Sequence, residues 1–252
     1  MRLLVLLFSL LMPVVAWLSQ RGVFGPDNGT VSDAYPTLLV AAGYAFSIWG
    51  LIFLLDVAYG AWQATGERRR DEVLARIAPA AAMGFALTAA WMPLFSRGLF
   101  WLCVIVIFGA LACTAWCAVT LSRARRRGAA LLLPWAALSL HAGWLALAAF
   151  LNLAQTIVAY ELLSTTSMLG WSLVLLAGIA GVLLVLNARM HGNPAYIAAV
   201  LWGLVAVYVK QSQSALAGAD VAAWAAVAIG LAVLAQTAWL HRPAARVAAS
   251  PR

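Results

Sequence analysis

Ala42-Gly43-Tyr44-Ala45-Phe46-Ser47-Ile48-Trp49-Gly50 runs into Leu51-Ile52-Phe53-Leu54-Leu55 and then meets an acid, Asp56. The carboxylate is apolar on both sides, since Val57 and Ala58 follow it. Such a run around a single ionisable group reads as a helix immersed in a bilayer. An acid there is costly, and by default it faces a partner, a cavity or a ligand. Trp49 and Asp56 stand seven residues apart, two helical turns, and so share one face.

The rest of the chain agrees with this segment. Of its 252 residues 65% are hydrophobic and 10% charged, with mean hydropathy +0.94; a soluble domain keeps roughly a quarter of its residues charged. Apolar stretches near residues 2–19, 38–63, 77–96, 99–121, 129–152, 168–188, 194–210 and 220–240 have about the length needed to cross a hydrocarbon core as helices. Strands of a barrel would instead alternate in runs of about ten residues. The expected fold is an all-α integral membrane protein with eight transmembrane helices.

Charge placement fixes the expected topology. With the N-terminus inside, Arg2, Arg68, Arg69, Arg70, Arg76, Arg123, Arg125, Arg126, Arg127, Arg189, Arg242, Arg246 and Arg252 fall on one side of the membrane. Only Arg21, Arg97 and Lys210 fall on the other. The positive-inside rule then predicts cytoplasmic termini in a multi-pass protein of a bacterial cytoplasmic (inner) membrane. The net charge of +8 is thereby a topology signal, and no nucleic-acid partner is expected. The Arg-rich inner loops, 68–76 and 123–127, have a secondary reading as contacts for anionic lipid head groups. Leu3 to Leu11, with Val14, Val15 and Ala16, also fits a signal peptide, but Trp17 and Gln20 make a poor cleavage context and favour a retained first helix.

Organisation changes along the chain. Ser96-Arg97-Gly98 is short enough to force the third and fourth spans into an antiparallel hairpin. After residue 157 polar side chains thin out, and small-residue pairs such as Ala177 with Gly181 point to close helix packing. Residues 1–157 therefore read as a five-helix core, and 158–252 as a three-helix C-terminal membrane extension with a short tail. Cys103, Cys113 and Cys117 share the fourth span with no His or acid and read as packing residues, so no metal site is expected. Asn28-Gly29-Thr30 matches a glycosylation sequon, a three-residue pattern that is frequent by chance.

Twelve tryptophans are unusual in a chain of this size. Trp17, Trp62, Trp101, Trp116, Trp135, Trp171, Trp224 and Trp239 lie near span ends, as an interfacial belt requires. Trp49, Trp144 and Trp202 sit near mid-span and Trp91 is intermediate; a buried indole must find a partner for its N–H, which makes these four the pocket candidates. Helical phase puts Trp49, Phe53, Asp56 and Gln63 on one stripe of the second span, Thr88, Trp91 and Phe95 on one of the third, and His141, Trp144, Ala148 and Asn152 on one of the fifth. Two readings of these stripes stand equal: a ligand pocket, or a bundle core whose polar groups satisfy one another. Asp56 and His141 fit either a polar anchor or proton relay, or a buried structural pair.

On these residues the chain resembles the tryptophan-rich sensory protein family, also called translocator protein or peripheral-type benzodiazepine receptor. Ala42 to Gly50 is similar to the segment entering that family's second-helix tryptophan. Trp91-Met92-Pro93-Leu94-Phe95 is similar to its Trp-x-Pro-x-Phe signature, and Trp144 and Asn152 match its fifth-helix Trp and Asn. The resemblance covers roughly residues 1–157 and implies a five-helix core that binds tetrapyrroles, sterols and synthetic aromatic ligands. It makes Trp49, Phe53, Trp91, Trp144 and Asn152 ligand contacts, and the shared stripes add Asp56, Thr88, Phe95 and His141. The chain departs from the family at Ala41 and Ala42, where prolines are usual, at Phe53 for tyrosine and at Thr88 for asparagine. Asp56 is no hallmark of that family.

The function expected from the sequence is a membrane binding or sensory protein for a planar hydrophobic ligand, a tetrapyrrole such as porphyrin or haem, or a sterol-like molecule. No cofactor is required; a tetrapyrrole would be bound as ligand, with the bilayer as the other partner. Family resemblance implies a homodimer. The alternative is a proton-coupled secondary transporter of a small amphipathic solute, with Asp56 as coupling group, although no inverted repeat is evident. No His-Glu-x-x-His, Gly-x-Ser-x-Gly or phosphate-cradling loop is present, so no catalytic residue is assigned and an enzyme is the less favoured class.

Overall fold

The computed structural model describes residues 1–124 and 131–242, and every regular element among them is helical. In chain order these are α1 (Arg2–Gln20), the short α2 (Asn28–Ala34), α3 (Ile48–Gln63), α4 (Glu72–Ser96), α5 (Phe100–Arg123), α6 (Leu132–Ala159), α7 (Leu169–Arg189), α8 (Pro194–Ser212) and α9 (Ala219–Leu240), with 3₁₀ turns at Gly43–Ser47 and Gly66–Arg70. Eight segments are long and apolar enough to cross a membrane, the second being Gly43–Gln63. The protein is an all-helical, multi-pass membrane protein. Arg125, Arg126, Arg127, Arg246 and Arg252, which enter the charge argument, lie outside the described residues.

Helix starts follow from local chemistry. The Asp71 carboxylate accepts the Leu74 N–H at 2.9 Å and opens α4. Asn193 accepts from the N–H groups of Ala195 and Tyr196, with Pro194 in the first helical turn, and opens α8. The α4–α5 joint is tight, as its sequence predicts: α4 ends at Ser96, Gly98 adopts φ +69°, and α5 begins at Phe100. Pro93 does not end α4, which continues to Ser96 and closes with the Arg97 N–H donating to the Pro93 carbonyl at 3.2 Å.

Two expectations need correction. Residues 38–63 are not one helix: 38–42 form no helix, Gly43–Ser47 is a 3₁₀ turn, and the α-helix begins only at Ile48. Ala42 is extended (φ −60°, ψ 142°), and its N–H donates across to the Ala206 carbonyl of α8 at 2.9 Å. Leu38, Leu39, Val40 and Ala41 are buried inside the protein, which is why composition alone extends the span to them. The second correction concerns small residues. Ala177 and Gly181 are exposed, and the close crossing lies elsewhere, between α6 and α8. A Cβ on Gly143 would sit 2.5 Å from the Tyr196 carbonyl oxygen, and one on Gly203 would sit 2.3 Å from Leu147 Cδ2.

Helix α6 organises the bundle. It packs on α3, α5, α7 and α8, while α4 pairs with α5 and with α1. Helices α7 and α9 pair with each other, and α8 joins them to α6. At the Arg-rich end the Arg2 guanidinium donates to Gln63 Oε1 at 3.0 Å and to the Asp71 carbonyl at 2.9 Å, tying α1 to the loop before α4. At the opposite end, residues 28–47 fold over the helices that carry the buried tryptophans. Asn28, the sequon residue, is buried there and accepts from the Ser19 and Ser96 hydroxyls.

Candidate functional site: a closed aromatic cleft over a buried polar pair

Burial sorts the tryptophans. Trp49, Trp91 and Trp144 are 9%, 6% and 2% exposed, whereas Trp17, Trp101, Trp116, Trp224 and Trp239 are all exposed. Trp62, Trp135 and Trp171 are half-buried, the first with the Arg68 guanidinium over its ring at 4.7 Å. Trp202 does not join the buried set. It stands on the outside of α8, packs edge-on to Tyr44 at 5.4 Å, and donates its N–H to the Ala45 carbonyl at 3.1 Å.

The three buried indoles and Phe95 meet in one cleft between α3, α4 and α6. Asn152 and Gln155 of α6, Ser32 of α2, and Val40, Ala41, Ala45 and Phe46 complete its walls. Trp49 and Trp144 meet edge to face with centroids 6.0 Å apart, and Trp91 stacks on Phe95 at 4.6 Å. About 490 Å³ of non-atom space lies between these walls, counting the mouth, yet only about 30 Å³ is wide enough for a water-sized sphere. That holds a water or two, against roughly 300–1,000 Å³ in pockets that take drug-sized ligands. The cleft is lined largely by aromatic and apolar side chains and is closed.

Its polar groups are mostly spoken for. Trp91 donates its indole N–H to Asn152 Oδ1 at 2.8 Å, Asn152 Nδ2 lies 3.5 Å from the Thr156 hydroxyl, and Gln155 donates to the Ser32 carbonyl and hydroxyl at 3.0 and 2.9 Å. The Trp144 N–H is buried and has no hydrogen-bond partner among the described residues. The cleft walls contain no His or Cys, so a metal ion inside a guest would find no imidazole or thiolate ligand there.

Beneath the cleft lies a second group. His141 Nδ1 and Asp56 Oδ2 are 2.8 Å apart, both residues wholly buried, and His141 Nε2 is 3.2 Å from the Thr88 hydroxyl. With Nδ1–H donated to Asp56, Nε2 accepts from Thr88 in a neutral ring or donates to it in the imidazolium. Phe85 stacks on the imidazole at 5.9 Å, and Trp49 meets it edge-on at 5.6 Å. Asp56 Oδ1 and the Tyr59 hydroxyl have no partner among the described residues. The pair thus joins α3 to α6 just behind a wall of the cleft.

The structure therefore divides the residues singled out by sequence. Trp49, Trp91, Phe95, Trp144 and Asn152 line the cleft. Phe53, stacked on Trp49 at 5.2 Å, and Asp56, Thr88 and His141 lie behind it. Sequence reasoning missed Gln155, which stands three residues after Asn152 and so on nearly the same face. It also missed Ser32, Val40 and Phe46, which no helical period could have signalled because they precede the regular helix. Among the described residues no group of three or more His, Cys, Asp or Glu side chains could hold a metal ion.

Eight helices long and apolar enough to span a membrane, with a tryptophan-walled cleft between three of them, define a multi-pass membrane protein. More particularly, the model of the TSPO-like protein family matches residues 2–239, and the chain belongs to that family. The match runs through all eight spans rather than stopping after the first five. No curated protein and no solved structure matches the chain.

Proposed function

We propose that the protein binds a planar hydrophobic ligand, a tetrapyrrole before a sterol-like molecule, in the cleft between α3, α4 and α6. The observation that carries this reading is the convergence of three buried indoles and Phe95 on one space, with a buried indole N–H left over. Flat π faces suit a flat conjugated guest, and stacking adds about 0.5–1.5 kcal/mol per aromatic pair beyond area burial. The want of a His or Cys wall favours a metal-free porphyrin over axially ligated haem. Binding requires the walls to spread, so a ligand selects or induces a more open cleft.

The polar contact is expected at Trp144 rather than Asn152, because the Asn152 carbonyl already accepts from Trp91 while the Trp144 N–H has no partner among the described residues. The test titrates purified protein with protoporphyrin IX and follows tryptophan quenching in wild type, Trp144→Phe, Trp144→Ala and Asn152→Ala. Trp144→Phe keeps a ring and removes the donor, and is expected to weaken binding roughly tenfold. Trp144→Ala is expected to weaken it further. Equal affinity in all four proteins would remove the cleft as the site.

A proton-coupled transporter is the second reading, favoured by one observation: a wholly buried Asp56–His141 pair with one carboxylate oxygen unpartnered among the described residues. Uptake into proteoliposomes driven by a proton gradient and lost in Asp56→Asn would select it. In either reading we place the Arg-rich end, with both termini, on the cytoplasmic side of a bacterial inner membrane and expect a homodimer. Protease or thiol-label access from each side, and mass measurement in detergent, test these placements.

A further inference from the structure

The non-helical stretch that walls the cleft is held by a different helix, one outside the first five spans. Gln211 of α8, 2% exposed, spends both amide protons on this stretch, donating to the Thr37 carbonyl at 3.1 Å and the Val40 carbonyl at 2.9 Å. Trp202 donates to the Ala45 carbonyl at 3.1 Å, and the Ala206 carbonyl accepts the Ala42 N–H at 2.9 Å. Lys210 pairs with Asp33 at 2.7 Å, but both side chains are largely exposed and such a pair contributes little. Val40, Ala41 and Ala45 are themselves walls of the cleft.

We propose that α8 is a latch on the cleft: Gln211 and Trp202 are positioning residues that hold residues 37–45 shut over it, and ligand entry requires their release. Buried backbone that is not helical survives only where protein groups satisfy it, and α8 supplies such groups at Thr37, Val40 and Ala42, while the Trp202 bond adds to the Ile48 N–H that the Ala45 carbonyl already accepts in the 3₁₀ turn. The other end of the lid is pinned independently, by Gln155 of α6 on Ser32, so release at α8 swings residues 37–45 while α2 stays in place. The free space of about 30 Å³ is the closed state of this device. Its opening raises the fraction of protein competent to bind, and apparent affinity and association rate follow that fraction. The inference rests on the cleft being the ligand site, while the closure itself is testable without a ligand.

The experiment uses the full chain in detergent with Gln211→Leu, Trp202→Phe and the double variant, and with Lys210→Ala and Asn187→Leu as controls. Trp202→Phe keeps a ring against Tyr44 and removes only the donor. Asn187→Leu cuts bonds to Gln236 and Thr237 elsewhere in the same three-helix set. Amide hydrogen exchange over residues 37–46 is expected to quicken roughly fivefold for each lost donor, with the other helices unchanged, and not to change in either control. Stopped-flow quenching by protoporphyrin IX is expected to show association quickened by the same factor. Unchanged exchange over 37–46 in the double variant overturns the latch, as does equal quickening in Asn187→Leu. Faster exchange without faster association, in a protein whose wild type quenches, overturns gating of entry. If wild type shows no quenching at all, the tetrapyrrole reading fails and exchange alone decides whether α8 holds the lid.

Discussion

Removing either member of the Asp56–His141 pair should destabilise the protein, and removing both should cost clearly less than the sum of the two single losses. The perturbations are Asp56→Val, His141→Leu, the double variant, and Asp56→Asn as a conservative control. Both residues are wholly buried, 2.8 Å apart, on helices that touch along this stretch. In soluble proteins, stranding one member of a buried ion pair costs about 3–5 kcal/mol, and replacing both by apolar groups is often neutral. In membranes the penalty shrinks, because the unfolded helices also find partners; interhelical hydrogen bonds average about 0.6 kcal/mol there and reach about 1.7. Two ionisable groups whose further hydrogen-bond partner among the described residues is Thr88 alone belong above that neutral ceiling. Each single variant is therefore expected to lose more than about 2 kcal/mol, with a coupling above about 1.7 kcal/mol and a double variant less damaged than the sum of the singles. Asp56→Asn keeps an acceptor for Nδ1 and should lose about 1 kcal/mol. The assay is reversible unfolding in mixed micelles titrated with sodium dodecyl sulfate, read by helical circular dichroism. Additive single variants, with coupling under about 0.5 kcal/mol, would refute the pair as an interacting unit.

Other outcomes follow from single contacts. Asn152→Leu strands the buried Trp91 N–H, now bonded at 2.8 Å, and should lower stability by about 1–3 kcal/mol, seen as a drop in the thermal midpoint. Gly143→Ala drives a Cβ to 2.5 Å from the Tyr196 carbonyl oxygen and should cost about 1–3 kcal/mol, whereas Gly181→Ala meets nothing within 4 Å and should stay within about 0.5 kcal/mol of wild type. Asp27, in the loop before α2, has its carboxyl held below the usual range chiefly by the Thr30 hydroxyl; burial, the next largest effect, opposes this, and the Thr30 and Gly29 N–H groups add smaller lowering contributions. A lowered folded-state value means the cap is fully present above the ordinary carboxylate range and is lost as pH falls through the lowered one. Thr30→Val should move that loss to higher pH, read as the onset of faster exchange in residues 28–34 on acidification.

How far the sequence carries depends on which physical signal a residue answers to. The spans were legible because lipid-length hydropathy is a composition property, and the hairpin at Ser96–Gly98 because no longer loop fits. The polar pair was half legible: helical phase puts Asp56 and His141 on inward stripes, but only packing of α3 against α6 brings Nδ1 within 2.8 Å of Oδ2. Trp202 shows the opposite failure. Its mid-span position suggested burial in the cleft, yet it stands on the outside of α8 and donates to the Ala45 carbonyl of the 3₁₀ turn, a contact no helical period signals. The irregularity of residues 38–42 was hidden, since Leu38 to Ala42 is as apolar as any helix, and Leu38 to Ala41 are buried by protein rather than by lipid. Gly143 likewise carries no label distinguishing it from Gly181; which one admits a neighbouring backbone is decided by the α6–α8 crossing.

The distribution of satisfied and unsatisfied polar groups suggests which parts move. In the cleft wall and beneath it, bonds run from side chain to side chain between packed helices: Trp91 to Asn152 in the wall, and Asp56 to His141 to Thr88 beneath. Opening there would strand buried groups on both partners, so this floor is expected to be rigid. Along the lid, the bonds run from α8 side chains to backbone carbonyls of an irregular stretch and the single 3₁₀ turn that follows it. Water entering an opened cleft can replace those donors at little cost, since a carbonyl exposed to water recovers most of what it gave up. For the aromatic guest proposed above, the cleft would offer a fixed floor of indoles and a yielding wall. On that proposal the asymmetry, rather than the count of tryptophans, predicts entry from the α8 side.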